Sequence, residues 1–139
     1  MRRVVIDTNL YIDWLNQGRH ADLLFQRESV KHLSAVVMME LYAGARSRQD
    51  RRLLDSILSP FAKSDRLLVP TAPMYKETGT ILSELHSRPA LSRPRQASLS
   101  HDILIALSAR AIGATVMTQN ARDFSAIQRV RPFRLQIVA

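Results

Sequence analysis

The sequence predicts an α/β fold in which helices cover both faces of a parallel β-sheet. Short β-branched runs, as at residues 3–6 and 115–118, are typical of buried strands. The longer segments between such runs have apolar residues at helical spacing and are bounded by capping residues, glycine or proline. Strands that alternate with helices indicate parallel pairing through crossover connections.

Five strands are predicted from their apolar or β-branched content and from the breaking residues that follow them. They are residues 3–6, a short segment that ends at Leu33, and residues 66–69, 115–118 and 134–138. The carboxyl ends of the strands form the working edge of such a sheet. Asp7 and the turn from Thr118 to Asn120 both lie at predicted strand ends.

The first half of the chain contains four predicted helices. Thr8 or Asn9 can cap the first, which extends to the break at Asn16-Gln17-Gly18. The second covers residues 21–27, and Ser34 is the expected N-cap of a third over residues 35–45. The fourth covers residues 48–58 and is expected to end before Pro60.

Three helices are predicted in the second half, at residues 74–86, from a cap at Ser100 to residue 112, and at 121–127. Tyr75 is expected to face inward in the first of them. Residues 87–97 contain two prolines and three arginines and are predicted to form a basic loop.

Length and composition restrict the class of protein. A chain of 139 residues with 46% apolar residues fits one domain with its own core. Because the chain has no cysteine, disulfides, cysteine-based zinc sites and a cysteine nucleophile are excluded. The apolar run after Arg3 ends at Asp7, well short of the roughly 7–15 residues of an export signal. We therefore expect a cytoplasmic protein that does not insert into membranes.

The charge of the chain favours a polyanionic partner. Lys and Arg number 20 against 12 Asp and Glu, which gives a net charge of +8, and all but Lys31, Lys63 and Lys76 are arginine. Arginine suits phosphate because its guanidinium presents a planar set of donors. For any single arginine, a solvated helix or loop face is the better explanation. The candidates for contact with a nucleic-acid backbone are Arg46, Arg48, Arg51, Arg52, Arg88, Arg93, Arg95, Arg129, Arg131 and Arg134.

Two acids in the first half of the chain stand in apolar surroundings. Asp7 directly follows a predicted buried strand, where a carboxylate is costly unless it is paired, although it can also serve as a helix cap. Glu40 lies on a predicted helix on which no neighbour three or four residues away is charged. A partly exposed surface glutamate is the alternative for Glu40.

Two acids in the second half repeat this pattern. Asp102 precedes the apolar run Ile103-Leu104-Ile105-Ala106-Leu107, although a position in the first helical turn after Ser100 also explains an acid. Asp123 follows the strand at residues 115–118, and pairing with Arg122 or Arg129 at the surface is its alternative.

Together the four acids predict a metal site. Converging carboxylates repel one another unless a cation neutralises them, and an all-oxygen site suits Mg²⁺ or Mn²⁺. Zinc fits less well because the four histidines (His20, His32, His86 and His101) show no paired ligand spacing.

Four motifs in this order resemble the PIN-domain family, and within it the VapC-type toxins of toxin–antitoxin pairs. The first motif is Val5-Ile6-Asp7-Thr8-Asn9, and the second covers residues 34–44 and contains Glu40. The third covers residues 102–109 and begins with Asp102, and the fourth covers residues 118–124 and contains Asn120 and Asp123. The resemblance covers nearly the whole chain. It implies a three-layer α/β/α sandwich on a mostly parallel sheet of four to five strands.

The resemblance also implies an activity and partners. It implies a Mg²⁺- or Mn²⁺-dependent endoribonuclease whose catalytic, metal-binding acids are Asp7, Glu40, Asp102 and Asp123. Asn9, Thr118 and Asn120 match the family's supporting polar residues. The partners it implies are an RNA substrate, a second copy of the chain and a cognate antitoxin that blocks the site.

Other classes of function remain open at this point. A PIN-domain nuclease in RNA maturation and a non-catalytic nucleic-acid-binding module fit the same motifs. A phosphoaspartyl enzyme fits poorly because Asn9 stands where its motif has aspartate and no lysine follows a predicted strand. Tyr11 and Trp14 are candidates for stacking on bases, with core or dimer packing as the alternative.

Overall fold

The computed structural model describes residues 1–87 and 93–139, and the side chains of residues 93–96 are outside the description. Five parallel strands form one sheet in the order β3-β2-β1-β4-β5. The strands are β1 (Arg2–Ile6), β2 (Ser29–Ser34), β3 (Leu67–Leu68), β4 (Thr115–Thr118) and β5 (Arg134–Ile137). The predicted fold class is confirmed, and the sheet is entirely parallel.

Seven helices connect the strands in the described part of the chain. They are α1 (Thr8–Gln17), α2 (Ala21–Phe25), α3 (Ala35–Gly44), α4 (Arg48–Lys63), α5 (Ala72–His86), α6 (Arg93–Ala111) and α7 (Ala121–Val130). This is the predicted order of elements. The α1 helix is capped by Asp7, and not by Thr8 or Asn9 as expected.

The centre of the sheet is the core of the molecule. Val4, Val5 and Ile6 on β1 are all buried, as is Val116 on the neighbouring β4. Successive side chains of a strand point to opposite faces, so burial of three in a row means that both faces are covered. Ile103 on α6 is fully buried in the same core.

The strand register sets the position of the polar residues at the carboxyl edge. Ile6 on β1 pairs with Met117 on β4, and the backbone N–H of Asp7 donates to the carbonyl of Met117 at 2.9 Å. Asp7 therefore lies beside Thr118, the last residue of β4. Ser34 ends the adjacent strand at the same edge and caps α3 through its hydroxyl.

The start of α6 differs from the prediction. The helix begins at Arg93 and not at a cap on Ser100, so residues 93–97, predicted as loop, are helical. Pro94 is compatible with this because the N–H groups of a first turn have no helical partner, and a proline there loses nothing. The rest of the predicted basic loop, residues 88–92, lies outside the described residues.

Two other helices extend beyond their predicted limits. The α4 helix passes through Pro60 to Lys63, and Phe61 in this added turn is buried. The proline removes one helical hydrogen bond, which the packing of this turn offsets. The α5 helix begins at Ala72, and its buried positions Thr78, Ile81 and Leu85 leave Tyr75 57% exposed, so the expected inward position of Tyr75 is wrong.

No helix in the part of the chain that the structure describes is both long and apolar enough to cross a membrane.

Candidate metal centre

Asp7 joins the end of β1 to the start of α1 and is only 5% exposed. Its Oδ1 accepts from the backbone N–H of Thr8 at 2.8 Å, which caps the helix. Its Oδ2 accepts from the Thr118 hydroxyl at 2.6 Å and from the Asn9 side-chain amide at 3.2 Å. The predicted alternative for Asp7, helix capping, therefore accounts for one oxygen and leaves the other directed at the carboxyl edge.

Thr118 is the central donor of this network. Its hydroxyl donates to Asp7 and accepts from the backbone N–H of Asn120 at 3.0 Å and from the side-chain amide of Asn9 at 3.3 Å. The Thr118 side chain is fully buried. The three supporting residues predicted from the sequence thus lie where they fix the first carboxylate and the turn after β4.

Asn120 connects the two acids of the second half of the chain. Its side-chain amide donates to Asp123 Oδ2 at 3.1 Å and reaches Asp102 Oδ2 at 3.5 Å. Its own oxygen accepts from the backbone N–H of Asp123 at 3.3 Å and caps α7. One side chain therefore holds Asp102, from α6, against Asp123, from α7.

Asp102 is 7% exposed and lies nine residues after the start of α6. This position excludes a first-turn interaction with the helix dipole as the reason for the acid. Burial raises the pKa of Asp102 to about 8, and the neighbouring carboxylates of Asp7, Asp123 and Glu40 contribute in the same direction. The hydrogen bonds of Thr118 and Asn120 join Asp102, Asp123 and Asp7 into one network at this edge.

The pKa of Asp7 is also raised, and the first cause is again burial. The hydrogen bonds from Thr118 and from the Thr8 N–H lower this pKa, while the carboxylate of Glu40 raises it. The site therefore disfavours negative charge on two of its acids in the absence of a cation.

Glu40 approaches the cluster from α3 and is half-buried. Its Oε1 accepts from the Thr8 hydroxyl at 2.9 Å, and its Oε2 lies 3.6 Å from Nδ1 of His101. From the sequence, Thr8 is expected only as a helix cap, and His101 only as one of four histidines without zinc-ligand spacing. The separation of 32 residues between Thr8 and Glu40 explains why no local pattern indicated this contact.

The chemistry of this cluster fits a hard divalent cation. Within residues 1–87 and 97–139, no lysine or arginine forms an ion pair with Asp7, Glu40 or Asp102. In the same residues, no three His, Asp or Glu side chains lie close enough to enclose one ion. Mg²⁺ does not need such an enclosure, because it is commonly held by one or two carboxylates and keeps several waters.

The candidate arginines differ in their availability. Arg46, Arg48, Arg51, Arg52, Arg129 and Arg134 are exposed. Arg131 is half-buried and pairs with Glu77 at 2.5 Å, which makes it a poor candidate for phosphate contact. Arg88 lies outside the described residues, as do the side chains of Arg93 and Arg95.

Comparison with known sequences identifies the family. The sequence model of the PIN domain matches residues 4–130, which is most of the chain. This chain therefore belongs to the PIN-domain family, as the four motifs indicated. No curated protein sequence matches it significantly.

Solved structures share the fold over nearly their full length. The chain is similar to a chain of VapBC2 from Rickettsia felis bound to a promoter DNA fragment, at 21% identity and a TM-score of 0.67, with 99% of each chain covered. DNA-bound VapBC from Salmonella typhimurium matches at 24% identity and a TM-score of 0.65, covering 99% of this chain and 98% of that one. FitAcB from Neisseria gonorrhoeae matches at 21% identity and a TM-score of 0.64, with 95% of each chain covered.

Proposed function

We propose that this protein is a metal-dependent endoribonuclease that acts as the toxin of a VapBC-type toxin–antitoxin pair. The observation that carries the proposal is the cluster of Asp7, Glu40, Asp102 and Asp123 at the carboxyl edge of the sheet, with two of the four buried. Membership of a family of nucleases and the likeness to VapBC and FitAB chains support it.

In this proposal Asp7 and Asp102 would hold Mg²⁺ or Mn²⁺, with Glu40 and Asp123 as further ligands, directly or through bound water. Such an ion would supply Lewis-acid activation of a water and charge neutralisation at the leaving oxygen of the phosphodiester. Thr118 and Asn9 keep the Asp7 carboxylate turned toward the edge of the sheet. Asn120 fixes the relative positions of Asp102 and Asp123, so that the acids are oriented before substrate arrives.

Hydrolysis by an activated water does not use the RNA 2′-hydroxyl as nucleophile. The products are therefore expected to carry a 5′-phosphate, and mapping of the product ends tests this chemistry. A 2′,3′-cyclic phosphate would contradict the proposed mechanism.

The central experiment is cleavage of RNA in Mg²⁺, in Mn²⁺ and in EDTA by the native protein and by Asp7→Asn and Asp102→Asn. We expect cleavage that needs the metal and falls at least about 100-fold in both variants, since each loses a charged ligand. Glu84→Gln, the same chemical change on the exposed face of α5, is the matched control and should retain full activity. Cleavage that survives in both aspartate variants would refute the four-acid site. If no RNA is cleaved and calorimetry detects no metal binding, the non-catalytic binding module becomes the better explanation.

The proposed partners are an RNA substrate, a cognate antitoxin and a second copy of the chain, all in the cytoplasm. Co-expression with the product of a short adjacent gene should yield a complex in which RNA cleavage is inhibited. Light scattering of the purified protein should give twice the mass of one chain. Active enzyme that no neighbouring gene product inhibits would instead favour a role in RNA maturation.

A further inference from the structure

A cavity beside α1 is lined by none of the four acids. It is enclosed by α1, α2, β2 and α4 and has a volume of about 240 Å³. Its walls include four aromatic rings, from Tyr11, Trp14, Phe25 and Phe61, and two basic side chains, from Lys31 and Arg66. Nothing in the proposed cleavage reaction uses this cavity.

The aromatic wall is accessible on one side. The rings of Trp14 and Phe25 meet edge to face, with centroids 5.1 Å apart and an interplanar angle of 69°. Phe25 is 56% exposed and Trp14 is half-buried, so the wall opens to solvent beside them. Tyr11, which the sequence placed beside Trp14 as a stacking candidate, is only 4% exposed and belongs to the core.

The basic side of the cavity carries charge that the described residues do not neutralise. Arg66 lies over the ring of Phe61 at 5.2 Å from its centroid and donates to the carbonyl of Lys31 at 3.1 Å. Lys31 is buried and donates to the carbonyl of Gln26. No acidic side chain lines the cavity in the part of the chain that is described. Burial and the charge of Arg66 both lower the pKa of Lys31, as expected for two cations without a counterion.

An aromatic wall beside two uncompensated cations is complementary to a ring that carries an anion. We propose that this cavity binds a nucleotide, with its base against Trp14 and Phe25 and its phosphate at Arg66 and Lys31. Base stacking on aromatic side chains combined with backbone contacts to basic groups is the general mode of single-stranded nucleic-acid binding. The volume of about 240 Å³ lies below the roughly 300–1,000 Å³ of pockets that enclose whole drug-sized ligands, so the cavity would take one nucleotide that stays partly open to solvent.

The nucleotide can be free or part of an RNA chain, and the geometry permits both. Trp14 follows Thr8 by six residues, or about 9 Å along α1. Lys31 precedes Ser34 by three residues, or about 10 Å along β2. At roughly 3.4 Å per stacked nucleotide, these offsets correspond to about three nucleotides. Binding of a nucleotide within an RNA chain rests on the proposed function as a ribonuclease, whereas binding of a free nucleotide does not.

Trp14 is the only tryptophan in the chain, so its fluorescence reports directly on stacking in this cavity. The native protein is titrated in EDTA, where the proposed cleavage is suppressed, with AMP and separately with a short single-stranded RNA. We expect saturable quenching that is weakened about tenfold by Phe25→Leu, which removes a stacking surface, and by Arg66→Gln, which removes a cation.

The matched control variants make the same kinds of substitution at residues that do not line the cavity. Tyr75→Leu removes a ring of nearly equal exposure on α5, and Arg110→Gln removes an exposed arginine that also donates to a backbone carbonyl. Both controls should quench as the native protein does, and circular dichroism checks that every variant is folded. Phe25 is an exposed side chain, so its variant tests the site even if Arg66→Gln destabilises the fold.

Quenching by AMP supports a site for a free nucleotide, and quenching by the RNA alone supports a site for part of a chain. Absence of quenching by either probe, or equal quenching in folded Phe25→Leu and in the native protein, overturns the proposal. Quenching by polyglutamate without quenching by AMP or RNA also overturns it and indicates an acidic protein partner. Because the titration does not require cleavage, its result can be interpreted even if the RNA-cleavage experiment fails.

Discussion

At the scale of single residues, the two oxygens of the Asp7 carboxylate have different partners. One oxygen caps α1, while the other faces Thr118 and Asn9. The same side chain therefore contributes to the local fold and to the cluster of acids. Such a carboxylate cannot rotate freely, because rotation would leave the Thr8 N–H of the helix start without its partner.

Replacing Thr118 by valine tests whether this orientation matters. Thr118→Val keeps the shape of the side chain but removes the donor to Asp7 at 2.6 Å. We expect RNA cleavage to fall about 10–100-fold, the effect typical of losing a group that orients a metal ligand. Thr115→Val, at the other end of β4, is the matched control and should retain activity. Equal rates in the two variants would show that the Thr118 hydroxyl does not orient the site.

The raised pKa of Asp102 predicts how the stability of the metal-free protein depends on pH. The folded-state pKa, about 8, lies above the unfolded value of about 3.9. The folded state thus binds more protons in this range, and the contribution of Asp102 to stability declines as the pH rises from about 4 to about 8. For one group the slope is at most ~1.4 kcal/mol per pH unit.

Urea denaturation in EDTA at several pH values measures this effect as the difference between the native protein and Asp102→Asn. Taking the difference removes the contributions of titrating groups that do not interact with Asp102, such as His32, whose lowered pKa acts in the opposite sense. The difference therefore reports Asp102 together with its coupling to Asp7, Glu40 and Asp123. A difference that does not change with pH would contradict the raised pKa of Asp102.

At the scale of elements, the ends of the helices place the acids. Ser34, Asp7 and Asn120 each occupy the N-cap of a helix that starts at the carboxyl edge of the sheet. At the far end of α6, Gly113 adopts a left-handed conformation with φ of 67°, and the chain then enters β4. This turn determines where β4 begins, and therefore where Thr118, the last residue of β4, lies.

Two glycine substitutions, one at a helix end and one within a helix, test the role of the backbone conformation. Gly113→Ala should destabilise the protein by about 1 kcal/mol, because a side chain is strained at positive φ. Gly79→Ala, in the exposed interior of α5, should stabilise it by roughly 0.5–1 kcal/mol, because no atom within 4 Å obstructs the new Cβ. Urea denaturation measures both changes, and a shift of the same sign in the two variants would contradict the backbone argument.

At the scale of the whole molecule, the charges are divided between a pocket and a surface. If Asp7, Glu40, Asp102 and Asp123 hold metal, 8 acids and 20 basic residues remain, and the rest of the chain has a net charge of +12. Exposed arginines such as Arg46 and Arg48 carry part of this charge. A basic exterior attracts RNA from any direction, while the acidic pocket restricts the proposed reaction to one place.

The proposed RNA binding should therefore depend steeply on salt. We expect the logarithm of the association constant to fall linearly with the logarithm of salt concentration. The double variant Arg46→Gln, Arg48→Gln should reduce the slope by about 2 if both touch phosphates. Arg110→Gln serves as the control and should leave the slope unchanged. Filter binding in EDTA measures these slopes, and a native slope near zero would mean that the basic surface does not bind the RNA backbone.

The sequence by itself determined the order of strands and helices and the parallel sheet, and it singled out four acids, Asp7 and Asp123 after strands and Glu40 and Asp102 within apolar helices. These features follow from apolar periodicity, capping residues and the position of charge in apolar runs, all of which act over a few residues. The two wrong helix limits also came from local patterns. Proline predicts an end of α4 before residue 60, and serine predicts a cap of α6 at residue 100, whereas the helices extend to Lys63 and begin at Arg93.

Only the tertiary structure decided which of these residues meet. The contact between Asp7 and Thr118 joins residues 111 apart, and the contact of His101 with Glu40 joins α6 to α3. It also decided that Tyr11 and Trp14, which line the same cavity, differ in exposure, since Tyr11 is buried in the core and Trp14 is only half-buried. The physical reason is that strand register and helix packing depend on the whole core being filled at once, whereas a sequence pattern records only the preferences of neighbouring residues.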